Sequence, residues 1–252
     1  MRRAGKIPPL RIGTAGWGVP ARYSDAFASE GSHLQRYGQR LNGVEINSSF
    51  HRAHRRTVYE RWAASTPADF RFSVKVPKAM THEKGLVGCS ALIEQFADQV
   101  RGLGDKLAVL LVQLPPNAAV NRRGGDAFFR RLRDALPVPI ALEPRHPSWF
   151  VPSVEAWLAE RDIARVAADP IPKRVPHEGG ADRPGGWAGL CYYRWHGSPR
   201  IYFSDYPIER LDALRQHAAK ARRTGSIVWC IFDNTAGGHA LGNALWLTDT
   251  RK

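Results

Sequence analysis

The densest run of reactive side chains is Glu143-Pro144-Arg145-His146, a carboxylate, a guanidinium and an imidazole within four residues. Arg145 suits bidentate capture of a carboxylate or phosphate. Glu143 is open to three roles: general base, metal ligand, or the internal partner that holds Arg145. Other polar residues close apolar runs in the same way: Glu45, Asn47, Lys75, Gln113, Asp169, Arg194 and His196. In an enzyme, Arg145 and Arg194 would hold an anion and Lys75 would stabilise developing negative charge. Glu45 or Glu143 would act as base, and His196 or His146 as acid. Lys75 would instead be a Schiff-base nucleophile if neighbouring cations depress its pKa.

Elements that could position these residues are visible as eight short apolar runs: 11–17, 43–49, 70–77, 107–114, 139–146, 164–169, 189–196 and 226–234. Most are separated by a helix-like stretch. This alternation predicts an α/β fold of the TIM-type (β/α)8 barrel, one domain over 1–252 with its core at about 11–247. Barrel active sites form where the strands end, which is where the polar residues stand. Strand side chains alternate faces, so Val44 and Ile46 facing the helices send Glu45 and Asn47 inward. The same parity sends Ser73 and Lys75 inward, and aligns Tyr192, Arg194 and His196. Asp169 shares a face with Ala167, and Asp233 and Asn234 are ambiguous. The expected ring is Glu45, Asn47, Lys75, Gln113, Glu143, Asp169, Arg194 and His196. Several charges desolvated together are costly unless they pair or bind a ligand.

Amphipathic helices are expected over 92–103, 126–136, 154–161 and 208–222, with Ser153 a candidate cap. Two connections break the pattern. One spans 77–90 and carries His82; the other, 170–187, is rich in Pro and Gly and replaces the sixth helix. Each reads as a lid or a surface insert. Trp17, Trp149 and Trp195 near strand ends would stack a sugar or base, or pack the core.

Net charge is +14, which suits a nucleic-acid partner, an anionic substrate or only a solvated basic surface. Basic clusters are expected on three different helices: Arg52, Arg55 and Arg56; Arg130, Arg131 and Arg133; Lys220, Arg222 and Arg223. Scattered clusters favour the basic surface. Three cysteines without metal spacing suit a reducing, cytoplasmic setting, and no apolar run is long enough for a membrane. No cofactor is expected. Glu45, Glu143, Asp169 and His196 would suit a divalent ion, but no ligand motif supports one and cations share the ring.

The chain also resembles the YecE-like family, domain of unknown function 72. The resemblance rests on Gly13-Thr14-Ala15-Gly16-Trp17, Val44 to Phe50, Phe72 to Pro77, Thr81-His82-Glu83 and Gln113-Leu114-Pro115-Pro116. It continues through Arg145 to Phe150, Arg194-Trp195-His196-Gly197 and Phe232-Asp233-Asn234 with Gly238, Ala240, Asn243 and Ala244. Pro144 and His51 depart from the pattern, which has an aromatic at the first and often Tyr at the second. The resemblance implies a (β/α) barrel and no particular reaction.

The favoured reading is an enzyme for a small phosphate- or carboxylate-bearing substrate, working by hydrolysis or proton transfer. Its catalytic candidates are Glu45, Lys75, Glu143, His146 and His196. Its binding candidates are Trp17, Asn47, His82, Gln113, Arg145, Trp149, Asp169, Arg194 and Asn234. Gly237 and Gly238 before a final helix add a candidate anion site. The alternatives are metal-assisted phosphodiester chemistry on nucleic acid, and a non-catalytic module binding an anionic metabolite or RNA.

Overall fold

The computed structural model describes residues 7–175 and 182–249. Every one of the eight apolar runs contains a strand. In chain order these are β1 (Leu10–Thr14), β2 (Gly43–Ile46), β3 (Arg71–Lys75), β4 (Leu107–Gln113), β5 (Ile140–Glu143), β6 (Ile163–Arg165), β7 (Ala167–Asp169), β9 (Leu190–Trp195) and β10 (Ile227–Phe232). The sixth run supplies both β6 and β7, divided at Val166. A two-residue strand, β8 (Gly185–Gly186), pairs antiparallel with β6. The helices are α1 (His33–Arg40), α2 (Arg56–Ala64), α3 (Ser90–Val100), α4 (Arg122–Ala135), α5 (Pro152–Ala159), α6 (Ile208–Arg223) and α7 (His239–Asp249).

The strands form two sheets, parallel apart from β8, in the orders β1-β10-β9-β7 and β2-β3-β4-β5-β6-β8. Two seams connect them. At one, the chain itself crosses: the Val166 N–H bonds the Leu142 carbonyl of β5, while β7 pairs with β9. At the other, β1 meets β2 through the Ala15–Glu45 bridge and through side chains. Tyr37 of α1 accepts from the Thr14 N–H at 2.9 Å and donates to the Gly43 carbonyl at 3.2 Å. The Asn42 amide accepts from Ile12 N–H and donates to the Leu10 carbonyl. Backbone groups that lack a ladder partner are thereby satisfied. Close approach at this seam requires Gly13, because a Cβ there would lie 2.1 Å from the Gly43 oxygen.

Helices cover one face of the sheets with a large apolar core. On the other face a smaller cluster draws from both sheets: Val109 and Leu111, Ala141, Ala164 and Val166, Leu190 and Tyr192, Trp229 and Ile231. Period-two alternation then carries the inner face forward to the polar residues that follow these positions.

Some helix expectations shift. The chain enters α5 from Val151 with Pro152 in the first turn, so Ser153 is no cap; proline supplies a preset φ there instead. Arg52 and Arg55 precede α2, which begins at Arg56. The other two basic clusters lie on α4 and α6 as expected. Among the described residues no helix stands between Asp169 and Leu190, and the remainder of that connection, 176–181, lies outside them. The 77–90 connection is ordered around a wide helical turn at Ala79–Glu83. No helix of the described residues is long and apolar enough to cross a membrane.

Candidate functional site

Arg194 is the centre of the inner face at the strands' C-terminal ends. Its side chain is 1% exposed and three carboxylates surround it. Nη2 and Nε reach the Glu45 carboxylate at 2.8 and 3.0 Å, Nη1 reaches Glu143 at 3.1 Å, and Nη2 reaches Asp233 at 3.0 Å. His196, two residues along the same strand direction, faces Asp233 with Nδ1 at 2.9 Å and Glu143 with Nε2 at 3.1 Å. Tyr192 closes the inner side, its hydroxyl within 2.9 Å of Glu45 and 3.0 Å of Ser73. Parity places all of these together, because residues 192, 194 and 196 share one face of a strand.

Arg145 approaches from the loop after β5. Its Nη2 and Nε lie 2.5 and 3.1 Å from Glu143 Oε1. Glu143 is therefore the internal partner of both Arg145 and Arg194. Burial pushes its carboxyl up, but Arg145, Arg194 and His196 together override that and hold it well below the usual carboxylate range. Such a group is a poor general base at neutral pH, which corrects that candidate role. Asp233 follows the same pattern, burial raising it and Arg194 and His196 bringing it down. For Arg194, burial works against the charge and the three carboxylates prevail. Its donors are committed to them, so it does not hold an outside anion. A divalent ion at Glu45 or Glu143 would have to displace Arg194 from the oxygens that it already fills.

Lys75 behaves differently. It ends β3 on the inner face and is 6% exposed, yet no hydrogen bond or ion pair to its ammonium occurs among the described residues. Instead Nζ stands 4.1 Å from the centre of the Phe50 ring. Burial first, and then the charge of Arg194, push the group down to about 8, against the opposing pull of Glu45, Glu143 and Asp233. His82 meets the other side of the corner. Its ring lies 5.0 Å from that of Phe50, and Nδ1 is 2.9 Å from the Thr81 hydroxyl. Burial and the charges of Lys75, Lys78 and Arg145 lower its pKa, which keeps the imidazole neutral.

The expected ring is thus assembled in part. Glu45, Lys75, Glu143, Arg194 and His196 come together, with Arg145 and His82 at the edge. Gln113 is half-buried and in register with Glu143. Asn47 follows β2 with its Oδ1 buried and unpartnered.

Five candidates lie elsewhere. Asp169 is on the opposite parity, facing α6, where Oδ2 pairs with Arg210 at 2.7 Å; alanines on both parities of this strand had left no contrast to read. His146 caps the turn at Pro147–Trp149, bonding Ser148 through Nδ1. Trp149 is 1% exposed, donates to the Ala118 carbonyl and packs beside Trp157, a core role. Trp17 packs edge-on against Trp62. Asn234 faces α7, donating to Asn243 and to the Ser204 carbonyl.

Asp233 is the residue that the sequence reading left undecided. Both faces of Ile227–Phe232 are apolar, so no contrast marked its direction. Tyr192 and Ser73 were read as inward without a role, and Phe50 carried no signal. The expected anion site before α7 corresponds to a cavity of about 420 Å³ lined by Thr14, Gly16, His33, Thr235 and Gly238. None of the charged cluster's residues lines it.

Residues 11–252 match the family model described as protein of unknown function DUF72. UPF0759 protein YunF of Bacillus subtilis is 26% identical over 262 residues, spanning 93% of this chain and 92% of its own. UPF0759 protein YecE of Escherichia coli K12 is 30% identical over 153 residues, 57% of this chain and 55% of its own. A crystal structure of a DUF72 protein from Thermotoga maritima superposes with a TM-score of 0.76 at 23% identity, covering 96% of this chain and 98% of that one. One from Enterococcus faecalis gives 0.76 at 20% identity, covering 96% and 94%. At these identities the structural likeness carries the mixed α/β fold with parallel sheets.

Proposed function

This chain belongs to the DUF72 family, and we propose that it is an enzyme acting on a small anionic substrate where the inner-face strands end. The two sheets are read here as one (β/α)8 barrel. Side-chain bonding at the β1–β2 seam and the strand that passes from one sheet to the other support that reading. Cys89, Cys191 and Cys230 are buried and form no disulfide, which suits a reducing compartment, the cytoplasm.

One observation carries the functional reading. Lys75 is 6% exposed, and its ammonium, which still reaches solvent, has no acceptor among the described residues, whereas Arg194 beside it is matched by three carboxylates. Confinement in so narrow an opening costs the ammonium much of its hydration. The cost is explained if an anionic group of a substrate supplies the missing partner. Arg145 is the second contact, since its Nη1 makes no hydrogen bond among the described residues while Nε and Nη2 are fixed on Glu143. His82, kept neutral beside them, can accept a proton. The reaction class is proton transfer or hydrolysis, with Lys75 and His82 at the substrate and the Arg194 cluster as a rigid charged floor.

A melting-temperature screen tests this. Phosphorylated and carboxylated metabolites, nucleotides and divalent metals are added to wild type, Lys75→Met and Arg145→Ala. An anion at 100 times its dissociation constant should stabilise wild type by about 2.7 kcal/mol, and both variants should lose most of the gain. Equal stabilisation of all three proteins, or a response to metals alone, would count against the proposal.

A further inference from the structure

Lysines in this chain fall into distinct settings. Of the eight in the sequence, Lys106 holds its ammonium against three oxygens, the Ala63 and Thr66 carbonyls and the Thr66 hydroxyl, at 2.6–3.1 Å. Lys78, exposed, pairs with Glu83 at 3.7 Å. Lys75 is more buried than either and has only the face of Phe50. Lost hydration without a protein acceptor brings the group down to about 8, so the free amine is a sizeable fraction at mildly alkaline pH while the remainder is the ammonium that draws an anion. An uncharged amine at a strand end is a nucleophile. Around it stand two groups that a carbonyl chemistry needs: a guanidinium with a free nitrogen, Arg145, and a neutral imidazole, His82. His82 and Lys75 meet the same Phe50 ring, at 5.0 and 4.1 Å, and Arg145 is fixed on Glu143 at the neighbouring strand ends.

We propose that the ε-amine of Lys75 forms an imine with a substrate of the 2-oxo acid class, its carboxylate held by Arg145. The inference rests on the anionic-substrate reading above and names its substrate chemistry. The Nζ lone pair attacks the carbonyl carbon, forming the C–N bond. The proton that leaves nitrogen passes through His82 to the former carbonyl oxygen, giving a carbinolamine. A second proton, taken up by His82 from solvent and passed to that hydroxyl, releases it as water, and the nitrogen lone pair closes the C=N bond to leave the protonated imine. The step requires no oxidant or reductant. The resulting iminium draws electrons from the adjacent carbon, which prepares that carbon for proton loss or bond cleavage.

The test uses the intact chain with glyoxylate as probe and cyanoborohydride as the trap, followed by peptide mapping. Hydride reduces the imine to a carboxymethyl-lysine. Lys75 should be modified at least about tenfold faster than Lys84 or Lys220, as expected for a desolvated amine, and oxalate should slow it. Lys75→Arg should keep the fold and lose this adduct. The wild-type preference stands as a test even if that variant does not fold. Glyoxylate labelling that spares Lys75, while oxalate still raises the melting temperature, would overturn the imine and leave the anion site. Labelling that spares Lys75 with no response to any anion would overturn both. Fast labelling of Lys75 that oxalate does not slow would overturn the role given to Arg145 and with it the 2-oxo acid assignment.

Discussion

Buried or half-buried cations occupy both ends of the strands, and they are handled in opposite ways. At the N-terminal end, Arg11 donates to the Asp69 and Asn42 carbonyls, and Lys106 to the carbonyls of Ala63 and Thr66. At the C-terminal end, Arg194 is held by three carboxylates and Lys75 by none. Backbone carbonyls are fixed and do not titrate, so the first arrangement is a permanent staple between chain segments. Carboxylates titrate and side chains can turn, so the second is responsive. The contrast teaches that charge burial alone does not mark a site. What marks Lys75 is the absence of the acceptors that an equivalent lysine, Lys106, possesses.

The largest effect should come from removing Arg194. Arg194→Met leaves Glu45, Glu143 and Asp233 buried without their common partner, and urea unfolding should report a loss of about 3–5 kcal/mol. Folded-state pKa values of Glu143 and Asp233 are depressed, so their contribution is present at neutral pH and fades as pH falls through those values. The stability gap between wild type and variant should therefore narrow as pH falls. Wild-type stability in Arg194→Met would mean that the cluster is not a load on the fold at all.

Lys75→Met should move the other way, gaining on the order of 2 kcal/mol at pH 7 because an unpartnered charge disappears. The sign follows from linkage. The folded pKa, about 8, lies below the unfolded value, so wild type is penalised while Lys75 is charged and recovers as pH rises from about 8 towards 10. That rise should be missing in the variant, and a profile unchanged by the substitution would contradict the setting described for Lys75. Lys106→Met sharpens the comparison with the smallest change. It should cost about 1–2 kcal/mol, the worth of charged hydrogen bonds near the surface, and leave glyoxylate labelling at Lys75 untouched.

Much of this was legible beforehand. The eight apolar runs located every strand but the two-residue β8, though not the division of the sixth run into β6 and β7, and parity turned Glu45, Lys75, Glu143 and Arg194 inward. Parity failed where contrast failed: alanines on both faces around Asp169, and large apolar residues on both faces before Asp233. His146 and Trp149 misled for another reason. Their types suit chemistry, but the turn after Pro147 directs one into a cap and the other into the core.

Local pattern thus determined the α/β order, the strand positions and the family, because side-chain period and hydrophobicity act over a few residues. Only the tertiary structure decided which charges cancel. Glu45 and Arg194 are 149 residues apart in sequence and in contact in space, so no local rule links them. That Arg194 is saturated while Lys75 is left without an acceptor depends on distances between strands of two sheets. Those distances separate a structural ion network from an amine without a protein acceptor.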